Sequence, residues 1–329
     1  MKARLIAAPL SLGLFGLLVG CEDQRDTAPR PHLSTVAGMT WHTVAPMTLP
    51  RTEVAATAAG QRIYVIGGFV ADGATVATVE VLDTTTGRWT RGPDLPLAVN
   101  HAMAATVDGN VYVFGGWRTD KQASAAAFHL DGAAWRPIAE MPQPRAAGVS
   151  VVLPGSVYVA GGVARSGLAE EMMVYDVAND RWTTAPGPPT RREHLGGAAS
   201  GGRVYTVGGR TGAGNLTAFE VYDPNSAQWA TLPDLPTARG GLAGAATCTG
   251  HVVAVGGEIP ATFAEAEAFD VRGGRWLALP DMPTARHGLG AVVVGTTLYT
   301  LAGGPQPGLH VTNAVEAIDL AGLGACTGP

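Results

Sequence analysis

Val157-Tyr158-Val159-Ala160-Gly161-Gly162 is a short apolar run that ends in two glycines, and it recurs along the chain. Arg62-Ile63-Tyr64-Val65-Ile66-Gly67-Gly68 and Val111-Tyr112-Val113-Phe114-Gly115-Gly116 precede it. Val204-Tyr205-Thr206-Val207-Gly208-Gly209, Val252-Val253-Ala254-Val255-Gly256-Gly257 and Leu298-Tyr299-Thr300-Leu301-Ala302-Gly303-Gly304 follow it. With the first glycine of each pair read at 67, 115, 161, 208, 256 and 303, the steps are 48, 46, 47, 48 and 47. Trp41, Trp89, Trp135, Trp182, Trp229 and Trp276 keep the same period. A fixed step of this size marks a repeat architecture, in which one supersecondary unit is copied and stacked.

Between each glycine pair and the next tryptophan lies a strand-like run ending in Asp, such as Val79-Glu80-Val81-Leu82-Asp83 or Phe219-Glu220-Val221-Tyr222-Asp223. Each Trp is followed by a Pro-rich turn and usually an Arg, as in Leu235-Pro236-Thr237-Ala238-Arg239. These marks resemble the kelch repeat, a four-stranded propeller blade. The resemblance covers roughly residues 39 to 320. It implies an all-β, six-bladed kelch β-propeller. Trp41 has no blade before it, and the last repeat has no Trp after it. The strand at Trp41 is therefore expected to join the C-terminal blade and seal the ring, removing free sheet edges.

In the first repeat, strands are expected near 53–58, 61–66, 77–83 and 88–91. Innermost strands such as Gly240 to Ala246 are small-residue rich, as a narrow axis requires. The glycine pair is expected in backbone angles closed to other residues, leaving room for the blade's Trp. Each Trp should bury roughly 150–250 Å² between blades. The Asp ending the third strand should open an Asx turn. Glu80, Glu220, Glu267 and Glu316 recur in phase, so they read as structural rather than catalytic.

Charged residues make up only 15% of the chain and the formal net charge is −5, with Lys only at Lys2 and Lys121. No basic run appears, which argues against nucleic-acid binding. Residues 1–20 read as a signal peptide, with Lys2 and Arg4 before an apolar stretch too short to span a membrane comfortably. Leu18-Val19-Gly20-Cys21 resembles the lipobox of bacterial lipoproteins. That resemblance implies lipidation at Cys21, a membrane lipid anchor, and residence in the cell envelope, periplasmic or at the surface. Two acyl chains would hold stably where one would not. Residues 21–38 are expected to be a flexible tether and 321–329 a short tail. A monomer is expected. Cys248 and Cys326 should face the same side of adjacent blades, and an exported compartment permits a disulfide between them; a buried free Cys248 beside a loose tail is the alternative.

No nucleophile elbow, Cys-x-x-Cys, His-Glu-x-x-His or P-loop occurs. The eight His residues show no metal-ligand spacing, so neither metal nor cofactor is expected. In kelch propellers, arginines entering the first strand often line the channel mouth. The matching positions are Arg51, Arg145, Arg192, Arg239 and Arg286, with His101 in the copy that lacks Arg. Each Arg either contacts ligand or bonds loop carbonyls. Directly after the glycine pairs come Phe69, Trp117, Val163, Arg210, Glu258 and Pro305, which vary while the scaffold repeats. Variation on a regular frame is what a binding surface shows. The expected function is a binding scaffold for a protein, peptide or glycan. The alternative resembles the exported sialic-acid mutarotases, in which rim Arg would hold a sugar acid and Glu258, Glu193 or His194 would move its proton.

Overall fold

The computed structural model describes residues 33–326; the signal segment and Cys21 lie outside them. The described chain is six antiparallel blades. Blade 1 comprises Ala55–Ala59, Arg62–Ile66, Val79–Asp83 and Arg88–Arg91, from the axis outward. Blades 2 to 5 repeat this order, starting at Met103, Val149, Gly196 and Ala243. Blade 6 takes Gly290–Val294, Thr297–Leu301 and Val315–Asp319 from the C-terminal end, and its outer strand is Trp41–Thr43. The register sets Trp41 opposite Ile318 and Thr43 opposite Glu316. The ring is sealed as the unpaired Trp mark required.

The core is divided into six apolar clusters, each lying between two neighbouring blades. A blade is apolar on both faces and cannot bury either one alone, so the ring is the smallest unit that satisfies all of them. Every periodic Trp also donates its indole N–H to a carbonyl of the preceding blade's exit loop, at 2.7–2.9 Å. Trp89 to Ala45 and Trp41 to Pro280 carry this pattern through the closure.

The glycine pairs do a different job from the one expected. Their φ is positive, +64° and +102° at Gly67 and Gly68, but the space they leave is not for Trp. A Cβ on Gly67 would lie 2.3 Å from the carbonyl oxygen of Val99, in the next blade. The N–H of Gly68 donates to that same oxygen at 2.9 Å. The bond repeats at each seam and ends with Gly303 donating to Arg51. The last pair is also shifted by one residue. Ala302, at φ +58°, takes the first-glycine position, and Gly303 the second.

The third-strand aspartates accept turn N–H groups, as Asp83 does from Thr85 and Thr86 and Asp223 from Asn225. The tether expected to run to Gly38 is structured earlier. Ser34 and Thr35 pair in parallel with Leu277 and Ala278 on the outer edge of blade 5, and Leu33 and Val36 pack on its apolar clusters. The chain must pass that edge to reach blade 6, and two apolar side chains are enough to dock it there. At the other end, a 3-10 turn at Ala321–Leu323 precedes Cys326, which is disulfide-bonded to Cys248 of blade 5.

Candidate functional site

The five arginines expected at the mouth are inside the blades. Arg51, Arg192, Arg239 and Arg286 are 0% exposed and Arg145 is 1%. Each guanidinium turns back across its own blade. Arg192 donates to the carbonyls of Gly208 and Thr190, to Thr206 Oγ1 and to Glu220 Oε2. Arg51, Arg239 and Arg286 reach Glu80, Glu267 and Glu316 in the same way. The recurrent glutamates are the counter-ions of the recurrent arginines. Blade 2 lacks both partners, with Val99 and Phe128 in their places. Blade 3 keeps Arg145 but has Met173 where the Glu would be. Arg145 bonds only carbonyls, and burial lowers its pKa to about 10.

The mouth is built by the residue two places after each arginine position. These are Glu53, His101, Ala147, His194, Gly241 and Gly288, and all have φ between +51° and +69°. Their peptide groups form a chain of inter-blade bonds around the channel, His101 N–H to Glu53 C=O through Gly288 N–H to Gly241 C=O, closed by Val54 N–H to Gly288 C=O. At Gly288 a Cβ would meet Glu53 Oε1 at 2.5 Å, so glycine there makes room for that carboxylate.

Side chains from five blades meet on this ring. Glu53 Oε2 lies 3.1 Å from His101 Nε2, and Glu53 Oε1 lies 3.2 Å from His287 Nδ1. His101 Nε2 lies 3.0 Å from His194 Nε2, to which Arg210 also donates at 3.0 Å. Arg210 is paired with Glu258 and lies 3.6 Å from Glu193. Glu258 Oε2 accepts from Gly308 N–H and is 3.5 Å from His287. Phe69 sets its ring edge-on to His101, with centroids 5.9 Å apart.

Burial pushes His101 down to about 4, with Glu53 only partly opposing it. Burial also works against charge on Glu53, but the imidazoles of His101, His287 and His194 outweigh it and hold its carboxyl below the usual range. At His287 burial acts downward, yet Glu53 and Glu258 prevail and raise it. The contact with His194 holds Glu193 low. Among the described residues, two donor sets lie close enough to hold a metal ion: Glu53 with His101 and His194, and Glu53 with Glu258 and His287.

Of the residues singled out from sequence, His101, Phe69, Arg210 and Glu258 converge here. Trp117 stays on the rim, half-buried, its backbone paired with Asn100. Glu53 was missed, although it stands in the same register as His101 and His194. The ring opens on a cavity of about 160 Å³, and the channel continues between the innermost strands into a second of about 400 Å³ lined mostly by Ala, Gly, Thr and Val.

Fold and site together define a six-bladed propeller of the kelch type with a charged mouth. The chain belongs to the kelch-repeat family. Residues 14–187 and 140–304 match the KLHDC2/KLHL20/DRC7 Kelch-repeats domain. Kelch-like protein terF of Aspergillus terreus is 32% identical over 56% of this chain and 44% of its own length. Kelch-like protein 40 of Mus musculus is 29% identical over 47% of this chain and 26% of its own. The chain thus spans less than half of either relative. The solved structure of YjhT superposes with a TM-score of 0.72 at 15% identity, covering 83% of this chain and 95% of that one; it shows the fold alone.

Proposed function

We propose that this chain is an exported, lipid-anchored binding module whose loop face docks a protein, peptide or glycan. The observation that carries this reading is the contrast between faces. Seams and buried ion pairs repeat, while Phe69, Trp117, Val163, Arg210, Glu258 and, with the last pair shifted, Gly304 differ in every blade around one mouth. The cavity at the mouth is about 160 Å³, and the channel continues into a second of about 400 Å³ lined by small residues of the innermost strands. Kelch propellers generally bind protein partners, which supports the same reading. The sugar-acid enzyme loses its arginines to the blade interiors, and Arg210 is already engaged by Glu258. The Cys248–Cys326 bridge suits an oxidising envelope, and the lipobox-like Leu18 to Cys21 supplies the anchor.

Photo-crosslinkers placed at 69 and 117 in living cells should give discrete adducts, and crosslinkers at 85 and 226, in turns of the opposite face, should not. Equal yields from both faces would refute the docking surface. Palmitate labelling that persists in Cys21→Ala would refute the anchor.

A further inference from the structure

The hydrogen-bond roles around His101 can be fixed from a backbone carbonyl outward. Trp117 C=O can only accept, and Asn100 Nδ2 donates to it at 3.3 Å and to Thr75 Oγ1 at 2.8 Å. That orients the amide, so its Oδ1 faces His101 Nδ1 at 2.6 Å. The oxygen can only accept, so the proton of a neutral His101 is on Nδ1 and Nε2 carries the lone pair. That nitrogen lies 3.1 Å from Glu53 Oε2 and 3.0 Å from His194 Nε2. His194 Nε2 is an acceptor too, because Arg210 can only donate to it. Three electron pairs converge with no proton among them.

The environment favours a cation in their midst. Glu53, Glu193 and Glu258 bring three negative charges and Arg210 one positive, a net −2 while the imidazoles are neutral. His287 lies beside the same carboxylates. Its Nε2 faces Gln306 C=O, and its Nδ1, on a side chain 2% exposed, lies between two carboxylates without a hydrogen bond.

We propose that Glu53, His101 and His194 bind a divalent transition-metal ion of the zinc class at the mouth of the propeller. The separations suit it. Donors about 2.05 Å from a tetrahedral ion stand about 3.3 Å apart; two of the three separations here are 3.1 and 3.0 Å, and all three lie within 4.8 Å. Two imidazoles and one carboxylate favour zinc, cobalt or ferrous ion over magnesium or calcium. Asn100 on His101 Nδ1 stands where the supporting partner of a metal-bound imidazole stands, and Glu193 is the carboxylate nearest His194 Nδ1, at 3.5 Å and without a hydrogen bond. Arg210 gives up its contact with His194 and keeps Glu258. All three ligands line the channel, so a remaining coordination position faces it. The site stands whether or not the loop face docks a partner.

The test is calorimetric titration of the purified, chelator-stripped full chain with zinc, and with magnesium for contrast. One zinc per chain is expected, with no comparable heat from magnesium. His101→Ala and Glu53→Gln should weaken zinc binding about 100-fold or more, and Asn100→Ala about 10-fold. His42→Ala, exposed on the outer strand of blade 6, should leave it unchanged. Wild-type chain titrated with cobalt should develop the strong visible bands of a four- or five-coordinate ion, a readout that needs no variant to fold. Absence of stoichiometric zinc, an octahedral cobalt spectrum, or His101→Ala binding as tightly as wild type would overturn the proposal.

Discussion

Glu220→Gln should be among the most damaging isosteric changes available in this protein. Glu220 is 1% exposed; Oε2 accepts from Arg192 at 2.6 Å, and Oε1 accepts from the backbone and hydroxyl of Thr190 at 3.0 and 2.7 Å. An amide has one acceptor end. Whichever way it turns, its NH2 faces either the guanidinium or the Thr190 N–H, so one buried donor meets another. The charge of Arg192 is left uncompensated in the blade. Breaking a buried pair in this way costs about 3–5 kcal/mol. With m of about 3 kcal/mol/M, the urea midpoint followed by tryptophan fluorescence should fall by about 1–1.7 M. Blade 2 supplies the control, because it carries Val99 and Phe128 at these two positions and is complete. The double variant Arg192→Val with Glu220→Phe removes both charges together and should recover at least half of the loss. A midpoint shift below about 0.3 M for Glu220→Gln, or a double variant whose loss equals the sum of the single ones, would refute the reasoning.

The mouth should make stability depend on acid. His101 accepts a proton at about 6.5 unfolded but at about 4 folded, so stability falls as pH drops through that interval, by up to about 3 kcal/mol. His287 acts oppositely, its contribution complete below 6.5 and lost as pH rises through its raised folded value. Urea midpoints measured from pH 7 to 4.5 should therefore decline less steeply in His101→Gln than in wild type; parallel curves would be evidence against a buried neutral imidazole. Trp41→Phe removes the indole donor to Pro280 at the closing seam and should cost about 1–3 kcal/mol, with faster proteolysis of the N-terminal strand; unchanged proteolysis would show that the seam does not depend on it. Cys326→Ser opens a cross-link spanning 78 residues and should cost up to about 4 kcal/mol by the chain-entropy account. Identical melting with and without reductant would deny the cross-link any role.

The blades were legible because each element is written six times. Six copies of Val-Tyr-Val-like runs, of Trp and of Asp leave little room for another fold, and one orphan Trp at 41 was enough to predict the closure. The destination of the arginines was less visible. Arg192 enters its blade by a loop and meets Gly208 and Glu220, 16 and 28 residues further on. No local window contains both partners. The signal was present across copies: blades with Arg51, Arg192, Arg239 and Arg286 carry Glu80, Glu220, Glu267 and Glu316, and blade 2 drops both together. Treated as separate columns, the glutamates read as structural and the arginines as either ligand contacts or donors to loop carbonyls; as a pair, they account for each other.

The same consideration explains why a search for ligand spacing found nothing. On a helix or in a finger, residues that share a site lie within a few positions, so short motifs detect them. On a propeller, the residues nearest the axis come from the same register of different copies. Glu53, His101 and His194 are separated by 48 and 93 residues, one and two periods, and at that register the other blades carry Ala147, Gly241 and Gly288. The small residues belong to the site as much as the large ones, since Ala147 lies between two histidines whose rings meet and Gly288 admits the Glu53 carboxylate. A propeller site is therefore read by stacking the repeats and asking which columns abandon the consensus. Here the glycine-pair, Trp and Asp columns hold, while the two positions after the arginine run Thr-Glu, Asn-His, Ala-Ala, Glu-His, Gly-Gly and His-Gly. Packing alone would have favoured small residues throughout a ring so narrow, and imidazoles and carboxylates at that register each carry a desolvation cost that only a partner can offset. The partners they have are one another, which is why the mouth is the place where this fold's chemistry, as distinct from its architecture, has to lie.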